Sequence, residues 1–278
     1  LRIYLPAVES PQDVRLRLTV HYDGSAFHGW QSQPDRRTVQ GELMSALSNL
    51  ADRPISLIGA GRTDAGVHAT GQVASADMPS SWTPESLRRS LNAILPPEIW
   101  IQSSSIAHPD FHPRYDAIAR TYQYQVGIEP KARSPFHAGT CWTLEGQLDY
   151  KLLEFGASEL VGEHSFEAFA KSGQPERGYL CSISQAHWSH SDLGFCFDIT
   201  ANRYLHHMVR YLVGTMVDIA RGKRQKDDLR RLLSAEPDLT TSPPAPPQGL
   251  FLVHVQYPEH VEFPQTPPSA SSKSIANV

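Results

Sequence analysis

An alternation of polar and apolar residues near the start of the chain predicts a strand with one buried face. From Val14 to Tyr22 every second residue is apolar, and the residues between are arginine, threonine or histidine. Successive side chains of a strand point to opposite faces, so this pattern places one face on a core. The segments Ile99–Ile106 and Arg120–Val126 predict two further strands.

Two apolar repeats with helical spacing lie between these strands. Thr38 is suited to cap a helix with apolar residues on one face through Leu50, and Pro84 starts a second helix that continues to Ile94. A strand pair separates the two helices. The resulting order, β-α-β-β-α-β, is the split pattern of ferredoxin-like and RRM-like domains.

The second part of the chain repeats this pattern more loosely. Its strongest signal is an apolar helix stripe from Leu205 to Val217. The other predicted elements are a helix at Tyr150–Val161, a strand pair at Tyr179–His190 and Gly194–Thr200, a short helix at Asp227–Leu233 and a strand at Leu250–Tyr257. We therefore predict an α+β fold of two RRM-like or ferredoxin-like half-domains, with antiparallel sheets around a central cleft. The half-domains span residues 14–108 and 109–258, between an N-terminal extension (1–13) and a Pro- and Ser-rich tail (259–278) that we expect to be disordered.

Composition narrows the class of protein. The chain has 278 residues, of which 40% are hydrophobic and 19% charged, and no apolar run is long enough to cross a bilayer. Three cysteines without metal or redox spacing indicate a soluble protein of a reducing cytoplasm. The net charge of −4 does not indicate a nucleic-acid binder, but the stretch from Arg203 to Arg231 holds eight basic residues against three aspartates. Such a stretch is either a solvated helix face or a phosphate-binding surface.

The segment from Gly59 to Asp77, which contains four glycines, is the strongest candidate for a functional loop. Within it, Asp64 lies two residues from Arg62. A carboxylate beside a guanidinium on a loop between strands suits a site that binds and attacks a substrate. A glycine-rich hairpin in which Asp64 caps a turn explains the same residues. The loop alone does not decide between the two interpretations.

Residues elsewhere carry similar alternatives. Arg210, on the flank of the apolar helix stripe, either reaches solvent or meets a carboxylate such as Asp64. Tyr122 and Tyr124 share one strand face, where they either fill the core or stack on a nucleic-acid base. The histidines have no zinc-ligand spacing, and no glycine-rich nucleotide-binding motif is present.

Several segments together resemble the TruA family of tRNA pseudouridine synthases, bacterial type. They are YDGSAFHGWQSQ, GAGRTDAGVHATGQV, LNAILPPEIW, FHPRYDAIARTYQY, NRYLHHMVRYLVGTMVDI and APPQGLFLVHVQYP, in order from about Val14 to Pro258. The resemblance implies a homodimeric isomerase without a cofactor. Its partner is tRNA, and the expected substrates are uridines at positions 38 to 40 of the anticodon arm.

The resemblance also implies roles for individual residues. Asp64 matches the catalytic aspartate and Arg210 its paired arginine. Arg62 matches the arginine that helps to flip the target base, Tyr122 the tyrosine that stacks on the uracil, and Leu250 an apolar wall of the pocket. Two segments match tRNA-contacting loops, namely Phe111, His112, Pro113, Arg114 and Tyr115, and Lys171, Ser172, Gly173, Gln174 and Pro175.

The chemistry leaves one choice and two rival functions open. Asp64, as the nucleophile, attacks either C1′ or C6 of the uridine. One rival is a tandem RRM-like protein that binds RNA without changing it. The other is a metal-dependent hydrolase that uses Asp64, His68 and His206. For the synthase, we expect the basic residues between Arg203 and Arg231 to set the affinity for phosphate.

Overall fold

A single sheet of ten strands runs through residues 13–171 and 178–262, the part of the chain that the computed structural model describes. The strands and helices are β1 Asp13–Tyr22, α1 Val39–Ala51, β2 Ile58–Gly59, β3 His68–Pro79, α2 Pro84–Ile94, β4 Ile99–Ile106, β5 Ala119–Gly127, β6 Trp142–Thr143, α3 Tyr150–Ser158, β7 Gly162–Ser165, β8 Leu180–Ser191, β9 Gly194–Ala201, α4 Met208–Ala220, α5 Asp228–Leu233, β10 Leu250–Gln256 and α6 Glu259–Glu262. The main path through the sheet is β4-β1-β3-β10-β5-β9-β8-β7, with β2 paired to β3 and β6 to β5. The chain therefore has a mixed α+β fold with a mostly antiparallel sheet.

The N-terminal elements form where the hydrophobic pattern predicts them. Strand β1 lies between β3 and β4, antiparallel to both, and buries Leu16, Leu18 and Val20 completely. Helix α1 is capped by Thr38, whose hydroxyl accepts a hydrogen bond from the backbone N–H of Gly41. Helix α2 begins with Pro84 behind a reciprocal side-chain cap. These caps satisfy backbone N–H groups that have no partner within the helix.

Parallel pairing between β3 and β10 joins the N-terminal strands to the C-terminal strands. His68 pairs with Phe251, and Ala69 pairs with Leu252. Just beyond this pairing, a Cβ atom on Gly71 would lie 2.0 Å from the carbonyl oxygen of Val253, so only glycine allows the backbones to come this close. One continuous sheet thus replaces the separate sheets that the sequence predicted.

The other differences are shifted element ends and short elements that were not predicted, such as β6 and β7. Helix α4 begins at Met208, after Leu205, because His207 has a left-handed backbone conformation with φ of 65°. Helix α6 lies in the segment expected to be disordered, and residues 1–12 and 263–278 fall outside the described range. The three cysteines are free and buried. Within the described residues, we find no helix with the length and apolarity needed to span a membrane.

Candidate active site

The loop that carries Asp64 is held tightly against the segment that follows β1. The hydroxyl groups of Thr63 and Tyr22 are 2.7 Å apart, and the backbone N–H of Trp30 donates to the carbonyl of Thr63. A Cβ atom on Gly29, which has φ of 88°, would lie 2.7 Å from the same carbonyl oxygen. Glycine is needed there both for its backbone angle and for this close approach. The backbone beside Asp64 is therefore fixed.

His68, at the start of β3, holds this loop in place through two hydrogen bonds to other segments. Its Nδ1 accepts a hydrogen bond of 3.1 Å from the N–H of Gly24, and its Nε2 donates one of 3.1 Å to the carbonyl of Gly139. Burial lowers the pKa of His68, although the carboxylate of Asp23 opposes that shift. A neutral ring with its proton on Nε2 satisfies both contacts. His68 therefore fastens the loop, and the group of potential metal ligands at Asp64 does not include it.

Two histidines that precede α4 and an arginine in its first turn contact the Asp64 carboxylate. Arg210 Nη1 lies 3.7 Å from Oδ2, His206 Nε2 lies 3.3 Å from Oδ1, and His207 Nε2 lies 3.3 Å from Oδ2. Consecutive side chains usually diverge. Here, with His207 in a left-handed conformation, the centroids of the two imidazole rings are 4.2 Å apart. The carboxylate keeps 26% of its side-chain surface exposed, so it remains accessible from solvent.

Arg210 is the fixed positive charge at this site. Its Nε donates to the carbonyl of Ala245 at 2.7 Å, and the N–H of Ala245 donates back to the carbonyl of Arg210. Of the two alternatives that the sequence left open, Arg210 thus meets a carboxylate. Burial lowers the pKa of His207, with Asp64 opposing the shift, so this imidazole is uncharged at neutral pH.

Tyr122 and Leu252 lie beneath the base of the loop. A Cβ atom on Gly61 would be 4.0 Å from the Tyr122 hydroxyl and from Leu252 Cδ2. Tyr122 is 8% exposed, and burial raises its pKa to about 12, so its hydroxyl is protonated at neutral pH. The strand register pairs Tyr122 with Leu252, whereas the predicted pocket residue Leu250 pairs with Tyr124. Leu252 is a site neighbour that the sequence analysis missed.

Comparisons with known proteins identify the family. A family model described as tRNA pseudouridine synthase matches residues 18–116 and 157–258, more than half of the chain. The chain belongs to the tRNA pseudouridine synthase family. It is similar to proteins named tRNA pseudouridine synthase A from Methylacidiphilum infernorum (35% identity, 90% of this chain and 98% of the relative), Bacteroides thetaiotaomicron (38%, 90% and 93%) and Paraburkholderia xenovorans (39%, 91% and 94%). The TruA resemblance is thereby confirmed.

A second partly buried arginine was also missed by the sequence analysis. Arg120, on β5, donates through Nη2 to the carbonyls of Ala60 and Arg114, at 2.9 and 2.8 Å. Through Nη1 it reaches the carbonyl of Asn202 at 3.3 Å. Burial lowers the pKa of this guanidinium. Arg120 thus joins the loop that carries Asp64 to the segments around Arg114 and Asn202, and no local sequence pattern marks it.

The segments predicted to contact tRNA divide into buried and exposed residues. Phe111 is 3% exposed, and the carbonyl of Pro113 accepts a hydrogen bond from the Tyr257 hydroxyl, so these two residues serve packing. Arg114 is exposed, and Tyr115 is 64% exposed. The remaining predicted tRNA contacts are His112, which is partly buried, Lys171, which is exposed, and Ser172, Gly173, Gln174 and Pro175, which lie outside the described residues. Arg62, predicted to help flip the base, is exposed.

The basic stretch from Arg203 to Arg231 does not form one free positive surface. Lys223, Arg224, Arg230 and Arg231 are each in ion pairs with carboxylates, which include Asp218, Asp228, Glu159 and Glu236. Helix α4 has 13 residues, so its C-terminal end lies about 20 Å from the end that holds Arg210. Nearer to Asp64 are two exposed cations, Arg62 on the same loop and Lys171, whose backbone N–H donates to the carbonyl of His206.

Proposed function

We propose that the chain isomerises uridine to pseudouridine at positions 38 to 40 in the anticodon arm of tRNA, with Asp64 as the nucleophile. Uridine isomerisation in tRNA is the activity of the family to which the chain belongs. The observation that carries the assignment of Asp64 is its contact with Arg210: an accessible carboxylate on a fixed loop, 3.7 Å from a partly buried guanidinium. A tandem RNA-binding protein without catalysis is not favoured, because it has no use for a carboxylate facing a polyanion.

The reaction requires a nucleophile and a closed pocket. The N1–C1′ bond breaks, the uracil turns, a C5–C1′ bond forms, and the proton on C5 is lost while N1 gains one. Atoms and electrons balance without an oxidant or a reductant. Asp64 forms a transient covalent bond at C1′ or at C6 and is released unchanged at the end.

The residues around Asp64 hold the base during these reaction steps. Tyr122 and Leu250 enclose the detached uracil, with Leu252 completing the apolar floor beside Tyr122. Arg62, two residues before Asp64, is exposed. It occupies the space that the flipped nucleotide leaves. Flipping a paired base costs a few kcal/mol, roughly, which contacts of this kind offset. Arg114, Tyr115 and Lys171 contact the RNA backbone and neighbouring bases.

The proposal also covers the architecture of the chain, its assembly and its compartment. The strand orders β4-β1-β3-β2 and β10-β5-β9-β8 repeat one arrangement, which supports two RRM-like halves within the continuous sheet. Both halves contribute to the site, since Asp64 comes from one and Arg210 from the other. A homodimer in the cytoplasm completes the proposal, and the three free cysteines suit that compartment.

Pseudouridine mapping tests this function. The purified protein is incubated with an unmodified tRNA transcript in the presence of a chelator and without nucleotides. We expect new pseudouridine in the anticodon arm, and none when the uridines at positions 38 to 40 are replaced by cytidine. Pseudouridine elsewhere in the tRNA contradicts the proposed position. RNA binding without any conversion contradicts the proposed reaction.

A further inference from the structure

Two adjacent imidazoles and a carboxylate meet at the proposed catalytic residue. The ligand atoms that Asp64, His206 and His207 offer all lie within 4.8 Å of one another. Each Nε2 is 3.3 Å from one oxygen of Asp64. In a tetrahedral site with metal–ligand bonds of about 2.0–2.1 Å, neighbouring ligand atoms are about 3.4 Å apart. The two nitrogen–oxygen separations of 3.3 Å are close to this distance between neighbouring ligand atoms.

The backbones of the two histidines are held in place. The carbonyl of His206 accepts a hydrogen bond of 3.0 Å from the N–H of Lys171, and the carbonyl of His207 accepts one of 3.1 Å from the N–H of Tyr211. Side-chain rotation is therefore the main freedom left to the donor set. His206 is 55% exposed and Asp64 26% exposed, so an ion can reach the site from solvent.

We propose that Asp64, His206 and His207 bind a divalent transition-metal ion of the Zn²⁺ class, and that the bound ion stops catalysis by occupying the Asp64 carboxylate. The inhibitory part rests on the function proposed above, whereas the binding part does not. Imidazole nitrogen suits Zn²⁺, Co²⁺ and Ni²⁺, while Mg²⁺ prefers oxygen ligands. The site is therefore expected to bind such an ion in preference to the Mg²⁺ that accompanies tRNA.

Arg210 limits how tightly the ion is held. Its Nη1 lies 3.7 Å from Asp64 Oδ2, and a guanidinium repels a divalent cation that binds the same carboxylate. With three protein ligands, the ion keeps a position open for water. We therefore expect weaker binding than at a structural zinc site with four protein ligands.

A Co²⁺ titration of the protein without RNA tests binding directly. Tetrahedral Co²⁺ absorbs visible light, and Zn²⁺ added afterwards displaces it. We expect one site in the wild type, with affinity reduced at least about tenfold in His206→Gln, in His207→Gln and in Asp64→Asn. His187→Gln is the matched control, because His187 is 60% exposed and its Nε2 lies 3.7 Å from a carboxylate oxygen of Asp198. Wild-type affinity in all three site variants, or an equal loss in the control, overturns the site.

Inhibition is measured on the same preparations. Zn²⁺ added at constant Mg²⁺ is expected to stop pseudouridine formation with a half-maximal concentration equal to its Kd for the free protein, and a chelator restores the rate. Full activity at a Zn²⁺ concentration that saturates the site overturns the inhibitory role. If the metal-free protein forms no pseudouridine, the proposed function fails, while the Co²⁺ titration still decides whether the site exists.

Discussion

Asp64 and Asp228 are both aspartates beside arginines, but their environments differ. Asp228, on α5, is 8% exposed and receives contacts of 3.1 Å from Arg224 and 2.9 Å from Arg231. Asp64 is 26% exposed, and its three basic neighbours stand 3.3 to 3.7 Å away. The Asp228 cluster is thus closed by short hydrogen bonds, and the Asp64 cluster is open.

The difference separates a structural ion pair from a candidate reactive one. Short charged hydrogen bonds use the lone pairs of a carboxylate and leave it few to offer a substrate. Longer contacts still provide a positive environment but leave the oxygens free to attack. Arg210 is anchored by Ala245 rather than by Asp64 itself, so the positive charge stays in place during the proposed attack of the carboxylate at C1′ or C6.

Replacing the arginine of each cluster sharpens this comparison most. Arg210→Met removes the fixed charge beside Asp64 and is expected to lower the turnover number about a hundredfold, the usual scale for losing one electrostatic contact to the reacting groups. Arg224→Met is expected to leave turnover within about twofold while lowering Tm. Steady-state kinetics and thermal unfolding measure both effects. Equal losses of turnover in the two variants would contradict the distinction.

Asp228→Asn tests the structural side. The partly buried guanidinium of Arg224 loses a charged acceptor, and we expect the free energy of unfolding to fall by about 2 kcal/mol. Denaturant unfolding followed by circular dichroism gives this value. The matched variant Asp64→Asn is expected to change it less, since no short hydrogen bond is lost there. A larger loss of stability in Asp64→Asn than in Asp228→Asn would reverse our assignment.

The histidines extend the comparison to pH. Burial lowers the pKa of His68 from 6.5, so on acidification the unfolded chain takes up a proton before the folded chain does. The free energy of unfolding is therefore expected to fall below about pH 6.5, by up to about 1.4 kcal/mol per pH unit. Denaturant titrations at several pH values should show a shallower slope for His68→Gln, with exposed His187→Gln as control. An unchanged slope in His68→Gln refutes the role of burial.

The smallest expected effect distinguishes exposed cations from cations held in ion pairs. Arg62→Gln and Arg114→Gln are each expected to weaken tRNA binding a few-fold and to reduce the slope of log affinity against log salt by about 1. Lys223→Gln is the control, because Lys223 already pairs with Asp218 at 3.2 Å. Fluorescence anisotropy over a range of salt concentrations measures these slopes. A larger change of slope in Lys223→Gln than in the other two variants would show that the basic stretch around α5 binds the phosphates.

The sequence predicted local structure well because local structure depends on spacing and caps. Thr38 and Pro84 marked the starts of α1 and α2, and the apolar alternation marked β4 at its observed bounds. The residues alone made the loop around Asp64 a candidate site and gave a contact between Arg210 and a carboxylate as one of two alternatives, and the family resemblance favoured that contact. The start of α4 was missed, because a left-handed residue such as His207 has no hydrophobic signature.

Long-range pairing could not be predicted from the same patterns. The count of charges between Arg203 and Arg231 did not include Glu159, which pairs with Arg230 but lies 71 residues from it in the chain. The parallel contact between β3 and β10 likewise joins residues that no local pattern connects. The convergence of His206 and His207 on Asp64 depends on both a backbone angle and a distant loop.

Single-turnover conversion by Asp64→Asn tests the central claim most directly. With enzyme in excess over unmodified tRNA, we expect Asp64→Asn to form pseudouridine at least about 10³-fold more slowly than the wild type, with its affinity for tRNA within about twofold. Asp228→Asn, the structural counterpart, is expected to convert the same tRNA at close to the wild-type rate at a temperature where it is folded. Conversion by Asp64→Asn at the wild-type rate would show that Asp64 is not the nucleophile.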